Sequence, residues 1–162
     1  MNQQDVFIKM ALDSWNIHIK RFDNILDKLT DEQLMQEISP SKNRGIYLLG
    51  HLAGIHDMML PLLRFSDSLY PELSFIFVDQ PDKAVTDLPS ASQLRNQWKK
   101  VNEKLVQHFS SLAPDEWFTR HASISEEDFM KEPHRNRLNV VLNRTAHLSY
   151  HLGQMALLVK KS

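Results

Sequence analysis

The sequence predicts an all-α fold, and specifically a four-helix bundle with long crossover connections between helices. Apolar residues recur at steps of three and four through four segments of roughly 20 residues, which is the period of an amphipathic helix. The chain has only four glycines, whereas the turns of a sheet-containing protein use more of them. Its length of 162 residues predicts a single domain that spans residues 1–162.

The boundaries of the helices follow from this period and from capping pairs. Thr30 with Gln33 has the spacing of a capping box for a short turn, and Ser90 with Gln93 has the same spacing at the start of the third helix. The four long helices are predicted at about residues 4–28, 44–66, 90–112 and 135–160.

Prolines mark a break and the long connections. Pro61 should kink the second helix or end it early, because proline has no backbone donor. Residues 67–89 and 114–133 are predicted to be long loops. Within the first of them, residues 75–78 are interpreted as a packed loop, with a buried lid or a short strand as the alternatives.

The composition argues against several classes of function. The formal net charge is −1, so we expect neither a nucleic-acid partner nor binding to an anionic membrane. No apolar run reaches the length of about 18 residues that a membrane span needs, and the N-terminal residues lack the pattern of a signal peptide. The chain has no cysteine, which excludes disulfides, thiolate metal sites and cysteine catalysis. These features together favour a cytoplasmic protein.

Two of the eight histidines share one face of the last predicted helix. His147 and His151 are four residues apart, so their imidazoles lie one above the other. His51 lies on the shoulder of the apolar arc of the second helix, which allows convergence with that pair but does not require it. Neutral imidazoles are common zinc ligands, and catalytic zinc sites use three protein ligands. The pair alone, however, is more often a coincidence of helix spacing than a metal site.

The other histidines favour structural interpretations. Tyr150 lies between the paired histidines, and the glutamate of an HExxH protease motif is absent, so we do not expect a metalloprotease. His56 lies too far around the second helix from His51 to share an ion with it. The remaining four are interpreted as core, boundary or loop residues: His18, His108, His121 and His134.

Small residues form a stripe on each of two predicted helices. The stripes are Gly50, Ala53 and Gly54 on the second helix, away from its main core, and Ala146, Ser149 and Gly153 on the last. A glycine within a helix costs about 1 kcal/mol relative to alanine, which suggests a compensating use. We expect a close approach of another helix, within the chain or across a dimer, with simple tolerance as the alternative.

Two histidine-containing segments resemble the DinB-like (DinB/YfiT) family. They are residues 48–53 (LLGHLA) and 145–154 (TAHLSYHLGQ), and residues 29–34 (LTDEQL) are similar to the turn after the family's first helix. The resemblance implies a four-helix bundle, a homodimer and a divalent-metal site, often of nickel or zinc. It also implies that the ligands are His51, His147 and His151. Residues 67–133 show no such match.

The resemblance implies a metal-dependent enzyme that acts on a small molecule. It leaves the reaction open between a thiol-dependent S-transferase, with a low-molecular-weight thiol as cosubstrate, and a hydrolase. Gln154 is expected to line the pocket or bond a ligand, and no catalytic base is identified. The alternative is a non-enzymatic, stress-related binding or dimerisation protein with a structural or vestigial metal. A structural site would be closed by a fourth ligand, with His18 or His121 as candidates.

Overall fold

The structure, a computed structural model, describes residues 2–159 and confirms the all-α prediction. Within these residues lie seven α-helices: α1 (Gln3–Leu26), α2 (Asp31–Leu34), α3 (Gly45–Leu62), α4 (Glu72–Ser74), α5 (Ala91–Ser111), α6 (Glu126–Lys131) and α7 (Arg137–Met155). A π-helix spans Phe75–Asp79, and 3-10 helices span Pro114–Phe118 and Ala156–Leu158. The same residues contain isolated β-bridges but no strand, and none of their helices is long and apolar enough to cross a membrane.

The predicted capping boxes begin the helices that they were expected to begin. The Thr30 and Ser90 hydroxyls accept hydrogen bonds from the backbone amides of Gln33 and Gln93, whose side chains bond back to the capping residues. α3 ends one residue after Pro61, as the missing backbone donor predicts. The last helix ends at Met155 and continues as a 3-10 turn, which is earlier than predicted, and residue 160 lies outside the described residues.

The prediction of two long loops is wrong. Residues 67–89 contain α4 and the π-helix, and residues 114–133 contain a 3-10 helix and α6. The first segment is neither a packed loop nor a strand, because residues 72–79 are helical. Leu73 and Phe77 lie four residues apart in it, and both are fully buried. That spacing places both side chains on one helical face, directed at α3.

The long helices pack in pairs around α3. α1 packs along α7, α3 packs along α5, and α3 also contacts α7 and the segment formed by α4 and the π-helix. Most of α3 is therefore buried, which explains why it is apolar nearly all round. The arrangement of the four long helices as a bundle stays a prediction from the sequence.

The glycines of α3 allow the segment formed by α4 and the π-helix to lie directly on the helix. A Cβ atom added at Gly50 would lie 2.6 Å from ring atoms of Phe77, and one added at Gly54 would lie 3.3 Å from the Cβ of Leu73. The close approach expected for this stripe is therefore made within the chain. The stripe on α7 is different, because a Cβ added at Gly153 meets no atom of the described residues within 4 Å.

Replacing these two glycines by alanine should change stability in opposite directions. Gly50→Ala should lower the free energy of unfolding, because overpacking against the buried Phe77 ring costs about 1–3 kcal/mol. Gly153→Ala should raise it by up to about 1 kcal/mol, since the new methyl group meets open space and alanine favours a helix. Urea denaturation of both variants measures this difference, and a Gly50→Ala variant as stable as Gly153→Ala would contradict it.

Candidate metal centre

Three imidazoles from two helices converge at one point of the molecule. The Nε2 atom of His147 lies 3.3 Å from the Nε2 atom of His51 on α3 and 3.1 Å from that of His151 on α7. The nitrogen atoms that these residues offer lie within 4.8 Å of one another, so the group could hold a divalent metal. Among residues 2–159, no other histidine and no carboxylate joins the group.

Hydrogen bonds on the outer side of the rings fix two of the three tautomers. The Nδ1–H of His51 donates to the backbone carbonyl of Phe77 at 2.8 Å, and the Nδ1–H of His151 donates to Oε1 of Gln154 at 2.7 Å. Because Nδ1 carries the proton, Nε2 of each ring presents a lone pair to the centre of the group. Nδ1 of His147 is buried and has no partner among residues 2–159.

Burial keeps all three imidazoles neutral near pH 7. Desolvation lowers the pKa of His51, and the positive charge of Arg144 lowers it further, against the hydrogen bond to Phe77. Desolvation likewise lowers the pKa of His151. For His147, burial together with His151, His51 and Arg144 lowers the pKa to about 4. Neutral imidazole is the form that ligates a metal.

The segment that carries the Phe77 carbonyl is tied to the first turn of α3. The hydroxyl of Tyr47 donates to the carbonyl of Gln80 at 2.7 Å, and the Tyr47 ring stacks on His51 with centroids 6.3 Å apart. The guanidinium of Arg44 forms an ion pair with Asp82 at 2.7 Å, and the Arg44 amide also donates to that carboxylate. These contacts hold the acceptor of the His51 proton in place.

Gln154 contacts a histidine of the group. Its Oε1 accepts from His151, and its Nε2 donates to the hydroxyl of the exposed Tyr150 at 3.2 Å. Gln154 therefore orients the His151 ring. That it also lines a substrate pocket stays a prediction.

His56 lies apart from the group and is fully buried. Its ring lies between Trp15 and Trp98, with centroids 4.7 Å and 4.8 Å away, and its Nδ1–H donates to Oδ1 of Asn102 at 2.8 Å. Burial lowers its pKa to about 3, against the hydrogen bond to Asn102. His56 is thus a neutral core histidine.

The two candidates for a fourth ligand also lie outside the group. The Nδ1–H of His18 donates to the carbonyl of Ser14 at 2.8 Å, one turn earlier in α1. Nδ1 of His121 accepts from the backbone amide of Ser123 at 3.2 Å. Each of these histidines therefore hydrogen-bonds to a residue nearby in the sequence and not to the histidine group.

Sequence reasoning missed two contributors to this region. The Phe77 carbonyl is a backbone atom and has no signature in the sequence. Arg144 precedes His147 by three residues and His151 by seven, which puts its side chain on the histidine face of α7. That spacing could have identified it.

Comparison with known proteins assigns the family. A family model described as the DinB superfamily matches residues 15–155, a range that includes all three histidines. The chain belongs to the DinB superfamily. The resemblance seen in the two histidine-containing segments is therefore confirmed.

Solved structures support the fold of this DinB-superfamily chain. Six solved chains match it, among them the crystal structure of "the conserved protein of locus from Enterococcus faecalis". That match has a TM-score of 0.57 and 12% identity, and it covers 94% of this chain and 97% of the other. At this identity the similarity shows a shared fold alone. No curated protein matches the chain.

The buried His56 should make stability depend on pH in a defined window. Its pKa is about 3 in the folded protein and 6.5 as the ordinary value, so the unfolded chain binds the extra proton between these limits. The free energy of unfolding should therefore fall as the pH drops from 6.5 towards 3, by at most about 1.4 kcal/mol per pH unit from this residue. Urea denaturation at several pH values should show a shallower slope for His56→Gln. A slope equal to that of the wild type would contradict the assignment.

Proposed function

We propose that this chain is a divalent-metal-dependent enzyme with zinc or nickel held by Nε2 of His51, His147 and His151. It acts on a small molecule, either as a thiol-dependent S-transferase with a low-molecular-weight thiol as cosubstrate or as a hydrolase. The observation that carries the proposal is the convergence of three neutral imidazole nitrogens, two of which must present lone pairs.

Binding a metal would satisfy the three imidazole nitrogens better than hydrogen bonds among them can. Lone pairs of His51 and His151 both face Nε2 of His147, which can offer at most one proton to them. A cation satisfies all three nitrogens at once. Zinc–nitrogen bonds of about 2.0–2.1 Å in tetrahedral geometry place ligand nitrogens roughly 3.3–3.4 Å apart. The observed separations of 3.3 Å and 3.1 Å are close to that value.

The ligand set favours a catalytic site over a structural one. Structural zinc sites are closed by four protein ligands, whereas catalytic sites use three. The residues proposed as a fourth ligand, His18 and His121, bond elsewhere. When bound, a divalent ion here would lower the pKa of a coordinated water or thiol, and three neutral ligands would leave its positive charge undiminished.

The other residues of the site position the ligands. The Phe77 carbonyl and Gln154 hold the rings of His51 and His151 and make their Nε2 atoms more basic. No carboxylate of the described residues joins the group, so the roles assigned to the chain here are ligation and orientation.

Metal content tests this proposal directly. We expect elemental analysis of untagged wild-type protein to give about one equivalent of zinc, nickel or a similar ion. A His147→Ala, His151→Ala double variant should hold none, whereas a His18→Ala, His134→Ala double variant should match the wild type. No metal in the wild type after reloading would contradict the proposal. Unfolding of His147→Ala, measured by circular dichroism, would instead support the structural-metal alternative.

Activity assays separate the two reactions. Metal-loaded protein is incubated with an electrophilic aromatic halide and either glutathione or bacillithiol, and separately with an activated ester. The transferase predicts thiol conjugation that the His147→Ala, His151→Ala variant loses, and the hydrolase predicts ester cleavage with the same dependence. If neither reaction depends on the histidines, the non-enzymatic binding or dimerisation module becomes the better interpretation.

We also propose that two copies associate through the exposed face shared by α1 and α7. Exposed apolar residues on α1 include Phe7, Met10 and Ile17, which follow one another at steps of three and seven. The small-residue stripe of α7 adjoins this helix, since Ser149 and Gly153 line a shallow cavity together with Arg21. Close approach of a second copy would bury both surfaces.

A charge placed in the α7 stripe should disrupt this dimer. Ala146→Arg introduces a bulky cation where the copies would meet, while Gln107→Arg makes the same kind of change on exposed α5. Sedimentation velocity should show a dimer for the wild type and for Gln107→Arg, and a monomer for Ala146→Arg. A monomeric wild type, or a dimeric Ala146→Arg variant, would contradict this interface.

A further inference from the structure

Arg144 is a part-buried cation that no described residue neutralises. It lies one turn before His147 on α7, on the face that carries both α7 histidines. Its guanidinium makes no hydrogen bond or salt bridge with any residue from 2 to 159, and its Nε atom is buried without a partner. Part-buried Arg44 and Arg95, by contrast, bond to Asp82 and to backbone carbonyls. Arg137, two turns earlier on α7, also has a buried Nε without a partner among residues 2–159, but its guanidinium lies against the Phe65 ring.

The surroundings of Arg144 make this isolation costly. The three histidines are neutral, and no carboxylate joins their group. Removing a charge from water is unfavourable unless an opposite charge or hydrogen bonds compensate, and a metal in the group would add further positive charge. An anion bound from outside the described chain would supply the missing negative charge.

A second unsatisfied donor lies on the same face. When Nε2 of His147 ligates a metal, its Nδ1 carries the proton, and that Nδ1 is buried without an acceptor. His147 and Arg144 are three residues apart, so their Cβ atoms are neighbours on the helix surface. Buried donors in native proteins are nearly always paired, so two unpartnered donors one turn apart on the same helix face favour a common acceptor.

We propose that Arg144, with the Nδ1–H of His147, binds an oxyanion of the small molecule that reacts at the metal centre. The substrate or cosubstrate therefore carries a carboxylate or a phosphate group. An arginine suits this task because its planar fork of N–H donors matches the oxygen pair of either group. The nature of the reacting molecule rests on the proposed function, whereas the anion subsite requires only the side chains described.

The test uses acetate and inorganic phosphate as anionic probes and acetamide as the neutral probe. Zinc-loaded and metal-free full-length protein are titrated by ¹H–¹⁵N NMR, following the α7 amides and the Nε–H signal of Arg144. That signal is assigned by its loss in Arg144→Gln. We expect at least one of the two anions, but not acetamide, to shift these signals, and the comparison of acetate with phosphate identifies the group that the subsite prefers.

Two variants of Arg144 and one control variant test whether this side chain binds the anion. Arg144→Gln should weaken anion binding at least about tenfold, because hydrogen bonds to charged groups are lost. Arg144→Lys keeps the charge but loses the fork, and it should bind with intermediate affinity. Arg137→Gln is the matched control, since Arg137 lies on the same helix and also has a buried Nε without a partner among residues 2–159, but its guanidinium lies 5.8 Å from the centre of the Phe65 ring. It should bind anions as the wild type does, and all three variants should retain the wild-type metal content.

Several results would overturn the subsite. These are binding of neither anion by the wild type, unchanged binding by Arg144→Gln, or equal shifts with acetamide. A structural role for Arg144 predicts a lower melting temperature for Arg144→Gln, whereas an unpaired cation predicts an equal or higher one without anion. If the wild type binds no metal, the proposed function fails, and the metal-free titration alone decides the role of Arg144.

Discussion

The close approach of the π-helix to α3 at Gly50 is the constraint on which the histidine group depends. Without a side chain at Gly50, the Phe77 ring lies against the helix, and the Phe77 carbonyl reaches the imidazole of the next residue, His51. That single hydrogen bond fixes the tautomer of His51 and turns its Nε2 lone pair towards α7. A fold that kept all three histidines but moved this segment would lose the orientation of the ligand from α3.

The histidine group and Arg144 lack a negative charge from the described residues. No carboxylate of the described residues joins the three neutral imidazoles, and none forms an ion pair with the guanidinium of Arg144. Carboxylate ligands would reduce the positive charge that a metal offers to its substrate, and this site has none. The same absence leaves Arg144 without a counter-ion among the described residues, so the feature that would keep a bound metal strongly electrophilic would also favour the anionic ligand proposed for Arg144.

The sequence predicts those parts of the molecule whose determinants are local. The helix starts at Thr30 and Ser90 followed from capping pairs, and the spacing of His147 and His151 placed both on one face. The α-helical turn and π-helix at residues 72–79 were missed because Pro71 and Pro81 flank a segment too short to show a helical period. His51 joins the group because of how α3 packs against α7. Residue spacing within one helix does not predict that packing. The family resemblance supplied that assignment.

Asp57 is the carboxylate on α3 nearest to His51 in the sequence, and it has a structural role outside the histidine group. Asp57 is buried, and burial raises its pKa although it accepts hydrogen bonds from the backbone amides of Leu69 and Tyr70 at 2.7 Å and 2.9 Å. It does not join the histidine group. These bonds fix the chain immediately before it turns into α4 and the π-helix, and so they help to set the position of the Phe77 carbonyl. The acidic side chain thus influences the metal centre through the backbone that it anchors, while the ligand set itself stays free of negative charge.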